Sequence, residues 1–325
     1  MPNSAALLLK TALKHFVVQP LRTYRNPYYE VRFRSFAVHR GASDVGTPRD
    51  LFRGVSDNYL LWLLTYAPQL GYTFDGVIPY LPSDDMQRNW TGAFGETTMR
   101  EALQFAQIIR QMVERYTSGL HLTTTILDFG CGWGRVLRFF LRDVNPQCLF
   151  GSDCYAEALA VARKHNRWSN FVLNDSLPPA PFEENSFDVI YLFSVFSHLS
   201  EEAHLRWIES FQRLLKPGGL LIATTRPRSF ILKCAELRSV ATNAIEAGGA
   251  ASSFKDTELF LQRYDAGEFC HSSTGGGGPL SESLYGESCI PEAYVRRVWA
   301  QRFDVQAYRP ADRKCNQDVI CVKKR

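Results

Sequence analysis

Residues 126–135, Ile-Leu-Asp-Phe-Gly-Cys-Gly-Trp-Gly-Arg, constrain this chain more than any other stretch. The apolar run from Ile126 to Phe129 predicts a buried strand. Three glycines at alternate positions, Gly130, Gly132 and Gly134, let the backbone turn tightly and approach a ligand with no Cβ in the way. The spacing predicts a helix over residues 136–141, whose free backbone N–H groups would face that ligand. A strand, a glycine turn and a helix in this order bind a nucleotide-like cofactor in an α/β fold.

The glycine spacing narrows the cofactor. A dinucleotide fingerprint reads G-x-G-x-x-G, its third glycine lying where the helix packs on the strand. Arg135 occupies that place here, and the third glycine comes one residue early. Asp128 stands two residues before the turn. A pyrophosphate does not call for a carboxylate beside it, whereas a cofactor with an ammonium group and a sulfonium could use one. In this G-x-G-x-G form with its preceding acid, the chain resembles the class I S-adenosylmethionine-dependent methyltransferases.

The following elements arrive in the order that this resemblance implies. Residues 148–153 read as a second strand ending in an acid. Asp153 lies 23 residues after Gly130, near the spacing at which a carboxylate meets ribose hydroxyls, and it can accept from both of them at once. A helix follows over 156–165, then a short strand at 171–173 ending in Asn174-Asp175. Residues 186–193 read as a fourth strand, leading into Ser194-Val195-Phe196-Ser197-His198-Leu199. Ser200 is a good N-cap for the next helix, and Glu201 and Glu202 favour its first turn. Leu205, Ile208, Phe211 and Leu215 keep helical spacing. Lys216-Pro217-Gly218-Gly219 ends that helix and turns into a fifth strand, 220–225. A helix over 291–303 and strands at 304–308 and 318–323, joined as a hairpin, complete the pattern and make the last strand antiparallel.

The expected fold is therefore α/β: a Rossmann-like, seven-stranded, mostly parallel sheet with one antiparallel strand, helices on both faces and an N-terminal helical extension. The resemblance implies S-adenosylmethionine as cofactor, held by Asp128, Gly130, Cys131, Gly132 and Gly134 in the first motif. It implies further contacts from Asp153 and Cys154, from Asn174, Asp175 and Ser176 near the adenine, and from Phe193. In similar methyltransferases the stretch before the first core helix closes over the methionine end, which assigns Trp90, Thr91 and Gly92 there. An ordinary turn and N-cap is an equal reading of those three.

With 325 residues, the chain divides on this reading into an N-terminal basic and aromatic extension and cap (1–95), a cofactor-binding core (96–226), a substrate-side insertion (227–285) and the end of the core sheet (286–325). Helices are expected over 51–70, 97–116, 230–246 and 257–264, and a loop of four glycines at 275–278. The insertion leaves from the edge of a parallel sheet outside which ligands bind. A net charge of +4 does not demand nucleic acid. Leu9, Leu13, Phe16 and Val17 share a helical face, followed by arginines interleaved with Tyr and Phe. That basic N-terminus either touches a membrane surface or an anionic substrate, or packs on its own domain with a solvated face. Eight cysteines form no C-x-x-C pair and no zinc spacing, so reduced thiols, a cytoplasmic setting and no metal are expected. No run of eighteen apolar residues suggests a membrane span.

Methyl transfer needs donor carbon and acceptor atom aligned and dry, and a hydroxyl acceptor also needs a base. His198, after the fourth strand, is the candidate base; capping the next helix or lining the pocket is its alternative reading. His121, His165 and His204 read as surface positions. Ser194-Val195-Phe196-Ser197 lacks the pattern of amino-methylating DNA enzymes, and no RNA-binding module is evident. The expected acceptor is a small molecule or glycan, methylated at oxygen, with no clear nucleic-acid partner. A cofactor-binding scaffold and a nicotinamide-dependent oxidoreductase remain as alternatives.

Overall fold

The computed structural model describes residues 28–33, 47–70, 76–240, 249–276 and 278–325. Apolar stretches bounded by turn residues become the central strands, since helices cover the faces of a parallel sheet. These are β1 (Ile126–Phe129), β2 (Leu149–Asp153), β3 (Asn170–Leu173), β4 (Phe187–Leu192) and β5 (Leu215–Thr225). Two more core strands, β8 (Phe303–Arg309) and β9 (Asp318–Lys324), follow late in the chain. Together they form a seven-stranded sheet in the order β3-β2-β1-β4-β5-β9-β8. The first five strands pair in parallel, and β9 runs antiparallel to both β5 and β8. This is the Rossmann-like arrangement expected from the sequence. Strand order reverses between β1 and β4, and ligands bind such sheets at that point, outside the C-terminal ends of the strands.

Helices cover the sheet: α1 (Pro48–Phe52), α2 (Asp57–Thr65), α3 (Asp84–Thr91), α4 (Glu96–Tyr116), α5 (Ala156–His165), α6 (Glu201–Leu214), α7 (Arg228–Val240), α8 (Thr257–Asp265) and α9 (Glu292–Val298). On one face α2 and α4 share a single core with Ile126, Val189 and Ile222. On the other, Trp207, Phe211 and Trp299 pack against Leu127, Ile190 and Leu221. A small separate cluster, Ile231, Cys234, Phe254, Cys270 and Cys289, holds the insertion together. A hairpin of β6 (Cys270–Ser273) and β7 (Gly286–Cys289), paired antiparallel, spans the boundary expected at residue 285. Among the described residues no helix is long and apolar enough to cross a membrane.

Several expectations are corrected. Residues 136–141 are not an α-helix: a short 3-10 helix, Leu137–Arg142, takes their place, with Leu137 through Leu141 buried. The helix expected over 51–70 divides into α1, α2 and a 3-10 turn at Pro68–Leu70, because Gly54 at φ +72° and the Ser56 cap separate the first two. Leu205 faces solvent and Leu215 opens β5 instead of continuing α6. The helix expected over 291–303 is α9 plus a 3-10 turn, Trp299–Gln301. Trp90 and Thr91 lie in α3 and not in an ordinary turn; Ser83 caps this helix through Met86 N–H and Gly92 ends it in the left-handed region. The expected helix over 230–246 is described only as far as Val240, and the apolar face around Leu9 and Val17 lies outside the described residues. So do the arginines of the N-terminal segment apart from Arg32. Within residues 28–33, Tyr29 and Phe33 pack on Tyr59 and Trp62, and Arg32 lies over the Tyr59 ring at 4.8 Å.

Candidate cofactor and acceptor site

A cavity of about 480 Å³ opens at the sheet's switch point, within the size range of small-molecule sites. The turn after β1 forms its floor. Gly130 sits at φ +72°, where a Cβ would come within 2.3 Å of Val195 Cγ2, so only glycine fits. Gly132, at φ +53°, has nothing within 4 Å of where its Cβ would stand. The space beside the Gly132 backbone is open cavity.

Four amides of this turn are used internally. The N–H groups of Gly130 and Cys131 both donate to the Ser152 carbonyl, at 2.7 and 3.0 Å, and Gly134 N–H donates to Cys131 O at 2.8 Å. Gly132 N–H donates to Asp153 Oδ2 at 2.8 Å. The α-helix N-terminus on which phosphate binding at such a turn relies is absent, its place taken by the 3-10 helix.

Asp153 ends β2 at the cavity wall. Its second oxygen, Oδ1, accepts from Tyr155 N–H at 3.0 Å. Burial pushes its carboxyl above the usual carboxylate range, against the backbone donors of Tyr155 and Gly132. Cys131 and Cys154 line the cavity beside it, with Asn174, Asp175 and Ser176 beyond the end of β3. Asn174 is buried and bonded to the Ser152 hydroxyl, and its Nδ2 donates to Asp175 O at 2.6 Å. Phe193 lines the opposite wall, stacked on Phe105 at 4.4 Å. Trp90, Thr91 and Gly92 reach the cavity from α3, and Trp90 meets Tyr155 edge-on at 5.2 Å.

Asp128 and Gly134 do not line the cavity. Asp128 is buried behind the turn, and burial raises its carboxyl to about 7; the Tyr191 hydroxyl beside it favours the charge and Asp153 opposes it. Gly134 packs near Phe171. Arg135, the residue that breaks the dinucleotide fingerprint, donates to Glu101 Oε2 at 2.6 Å and to Thr98 Oγ1 at 2.9 Å, and lies over Phe193 at 4.8 Å. It ties the turn to α4.

His198 stands at the far end of the cavity, after β4. Its Nδ1 lies 2.9 Å from the Gly286 carbonyl, which can only accept, so Nδ1 carries the proton and Nε2 keeps the lone pair. Burial lowers its pKa, Glu287 raises it and Arg226 lowers it. Arg226, Tyr285 and Gln317 complete this end. These three were missed in the sequence. Arg226 had a usable signal, since it directly follows β5 at the ligand-binding edge. Tyr285 and Gln317 arrive from segments 59 and 91 residues after Arg226 and carry no motif. Among the described residues, no group of three or more His, Cys, Asp or Glu side chains could hold a metal ion.

His204 is not a surface residue. It is fully buried in the core, its Nε2 accepting from Trp299 Nε1–H at 3.0 Å, and burial pushes its pKa down to about 3.

A Rossmann-like sheet whose glycine turn opens on a cavity defines a cofactor-binding α/β domain. Residues 126–219 match the methyltransferase domain family, so the chain carries a class I S-adenosylmethionine-dependent methyltransferase domain, whose cofactor is S-adenosylmethionine. The residues present fit that group: the open cradle over Gly132 admits it, and Asp153 stands beside the cradle. The chain is 33% identical over 107 residues to the tRNA N(3)-methylcytidine methyltransferase Mettl2 of Drosophila melanogaster, covering 30% of this chain and 33% of that protein. It is 28% identical over 113 residues to the ubiquinone biosynthesis O-methyltransferase of Cereibacter sphaeroides, covering 33% of this chain and 44% of that one. The magnesium protoporphyrin IX methyltransferase of Synechocystis PCC 6803 superposes with a TM-score of 0.46 at 14% identity, covering 74% of this chain and 94% of that one. The chain thus spans less than half the length of these two curated relatives. The expectation of a small-molecule or glycan acceptor and no nucleic acid is overturned by the tRNA methyltransferases among the relatives.

Proposed function

We propose that this protein transfers the methyl group of S-adenosylmethionine to a nucleoside of RNA. The observation that carries the methyl-transfer reading is the glycine turn after β1 with its Gly132 cradle open, continuous with a cavity that Asp153 and His198 both line. The acceptor class is supported by the relatives that are tRNA cytidine methyltransferases. When bound, S-adenosylmethionine supplies a methyl carbon on a positively charged sulfur. In this reading Gly130, Cys131 and Gly132 bound its methionine part, and Asp153 accepts from its ribose hydroxyls. Asn174, Asp175 and Ser176 flank the adenine. Trp90, Thr91, Gly92 and Phe193 close over the donor end and exclude water. Orientation of this kind contributes roughly 7–11 kcal/mol. Where the acceptor atom bears a proton, as a ribose O–H or an exocyclic N–H does, His198 Nε2 takes it. The insertion, residues 227–285, shapes the acceptor end and continues into β7. The eight free thiols suit a reducing, cytoplasmic compartment.

The test is to incubate the protein with methyl-labelled cofactor and separate pools of transfer and ribosomal RNA, then digest to nucleosides and identify the labelled one. Cofactor binding by calorimetry with no label in any RNA sinks the acceptor class; no binding sinks the whole reading.

A further inference from the structure

Three segments far apart in sequence meet behind His198. The β7 hairpin docks on the loop that carries it as an added strand: Gly286 N–H donates to His198 O at 2.8 Å, and Ser288 N–H donates to Ser197 O at 2.8 Å. Ser288 Oγ donates to Leu199 O at 2.6 Å, which extends the same seam. Gly286 is required at this crossing, because a Cβ there would stand 2.2 Å from Ser272 O. Tyr285, one residue earlier, stacks flat on the His198 ring, with centroids 5.1 Å apart and planes within 8°. The ring therefore has a fixed plane and a fixed tautomer.

The next residue, Glu287, is 8% exposed. A buried carboxylate is costly unless paired. Its Oε2 accepts from Arg226 Nε at 2.8 Å and its Oε1 from Arg226 Nη2 at 3.4 Å, so Arg226 at the end of β5 fixes the carboxylate. The same Oε1 lies 3.7 Å from His198 Nδ1. Two further titratable groups face this cluster: Tyr285, stacked on the ring, and His271 on β6, whose own pKa His198 lowers and which is tied through Nδ1 to Ser288 Oγ at 2.8 Å. Nδ1–H is already taken by the Gly286 carbonyl at 2.9 Å, so Glu287 acts on the ring through its charge, which favours the imidazolium.

We propose that Glu287 is the positioning residue of His198. It stands opposite Nδ1 while Nε2 receives the acceptor's proton, which turns a neutral imidazole into an imidazolium facing a carboxylate. Arg226 holds Glu287 in place and tempers its charge. The insertion hairpin thereby supplies part of the acid–base machinery as well as a wall of the acceptor pocket. The inference rests on the proposed base role of His198.

The test compares Glu287→Gln and Arg226→Gln in the full chain. The His198 Cε1–H resonance, followed by NMR against pH and assigned with His198→Asn, reads the dyad without any acceptor. Glu287→Gln should lower the His198 pKa by about one unit, since it removes the anion and leaves the cation, and Arg226→Gln should raise it. Glu287→Asp should restore most of the wild-type value. In methyl transfer, Glu287→Gln should lower kcat about tenfold, move the acidic limb to lower pH and leave the cofactor's Kd unchanged. If either single variant fails to fold, the double variant, which removes both charges, is used; the carboxylate and guanidinium shifts should then largely cancel. A His198 titration that both single variants leave unmoved, or move in the same direction, overturns the dyad. A shifted titration with an unshifted rate profile overturns its part in catalysis. A cofactor that does not bind wild type would instead refute the methyltransferase reading, leaving the titration result intact.

Discussion

Asp153 Oδ2 accepts the backbone N–H of Gly132 at 2.8 Å, across 21 residues of sequence. One carboxylate therefore shapes the cofactor turn and also stands at the proposed ribose position. Asp153→Ala removes bonds to a charged group, each contributing about 1.5–3 kcal/mol. Cofactor affinity should fall roughly ten- to hundredfold. The melting temperature should fall as well, since the turn loses its tie. Calorimetry and thermal unfolding on the same sample check both; unchanged affinity would move the ribose elsewhere.

Two glycines of the turn should respond differently. A side chain at Gly132 enters open cavity, so Gly132→Val should remove cofactor binding while costing only the strain of a positive φ, about 1–2 kcal/mol. A Cβ at Gly130 would press against Val195, so Gly130→Ala should lower stability more. Equal melting temperatures for the two variants would contradict this geometry.

Burial raises the Asp128 carboxyl to about 7, against about 3.9 in an unfolded chain. Between those values the folded protein holds a proton that the unfolded chain has released. The sign follows: Asp128 favours unfolding as pH rises from about 4 to 7, and its effect is constant above that. Asp128→Asn should flatten this part of the stability profile. Denaturant midpoints at pH 5 and pH 8 measure it, and an unaltered slope in the variant would assign the titration to another group.

Replacing His198 by Ala should slow methyl transfer by something like 10²–10⁴-fold with little change in cofactor Kd. Burial, the largest influence, lowers its pKa from the ordinary 6.5. The wild-type rate should therefore hold to below pH 6.5 and fall only as the ring is protonated. A flat pH profile with near-full activity in His198→Ala would indicate an acceptor atom that carries no proton, such as a ring nitrogen.

Local chemistry determined much of this protein directly from sequence. Strands β1 to β4, residues 220–225 of β5, the span of α5 and the Ser200 cap on α6 follow from apolar runs and cap residues whose information lies within a few positions, whereas residues 215–219, expected as a helix end and a turn, belong to β5. The turn residues Gly130 and Gly132 and the strand-end acid Asp153 were legible for the same reason. Tertiary structure decided the remainder. Residues 137–142 form a 3-10 helix because their bulky side chains are buried together and the turn's amides are already taken by Ser152 and Asp153. His204 is polar in sequence yet buried, because Trp299, 95 residues later, gives its ring a donor. The partners of His198 come from a hairpin 88 residues away. Hydrophobic period and capping act over a turn or a strand; a pocket depends on which distant segments pack side by side, and no local pattern records that.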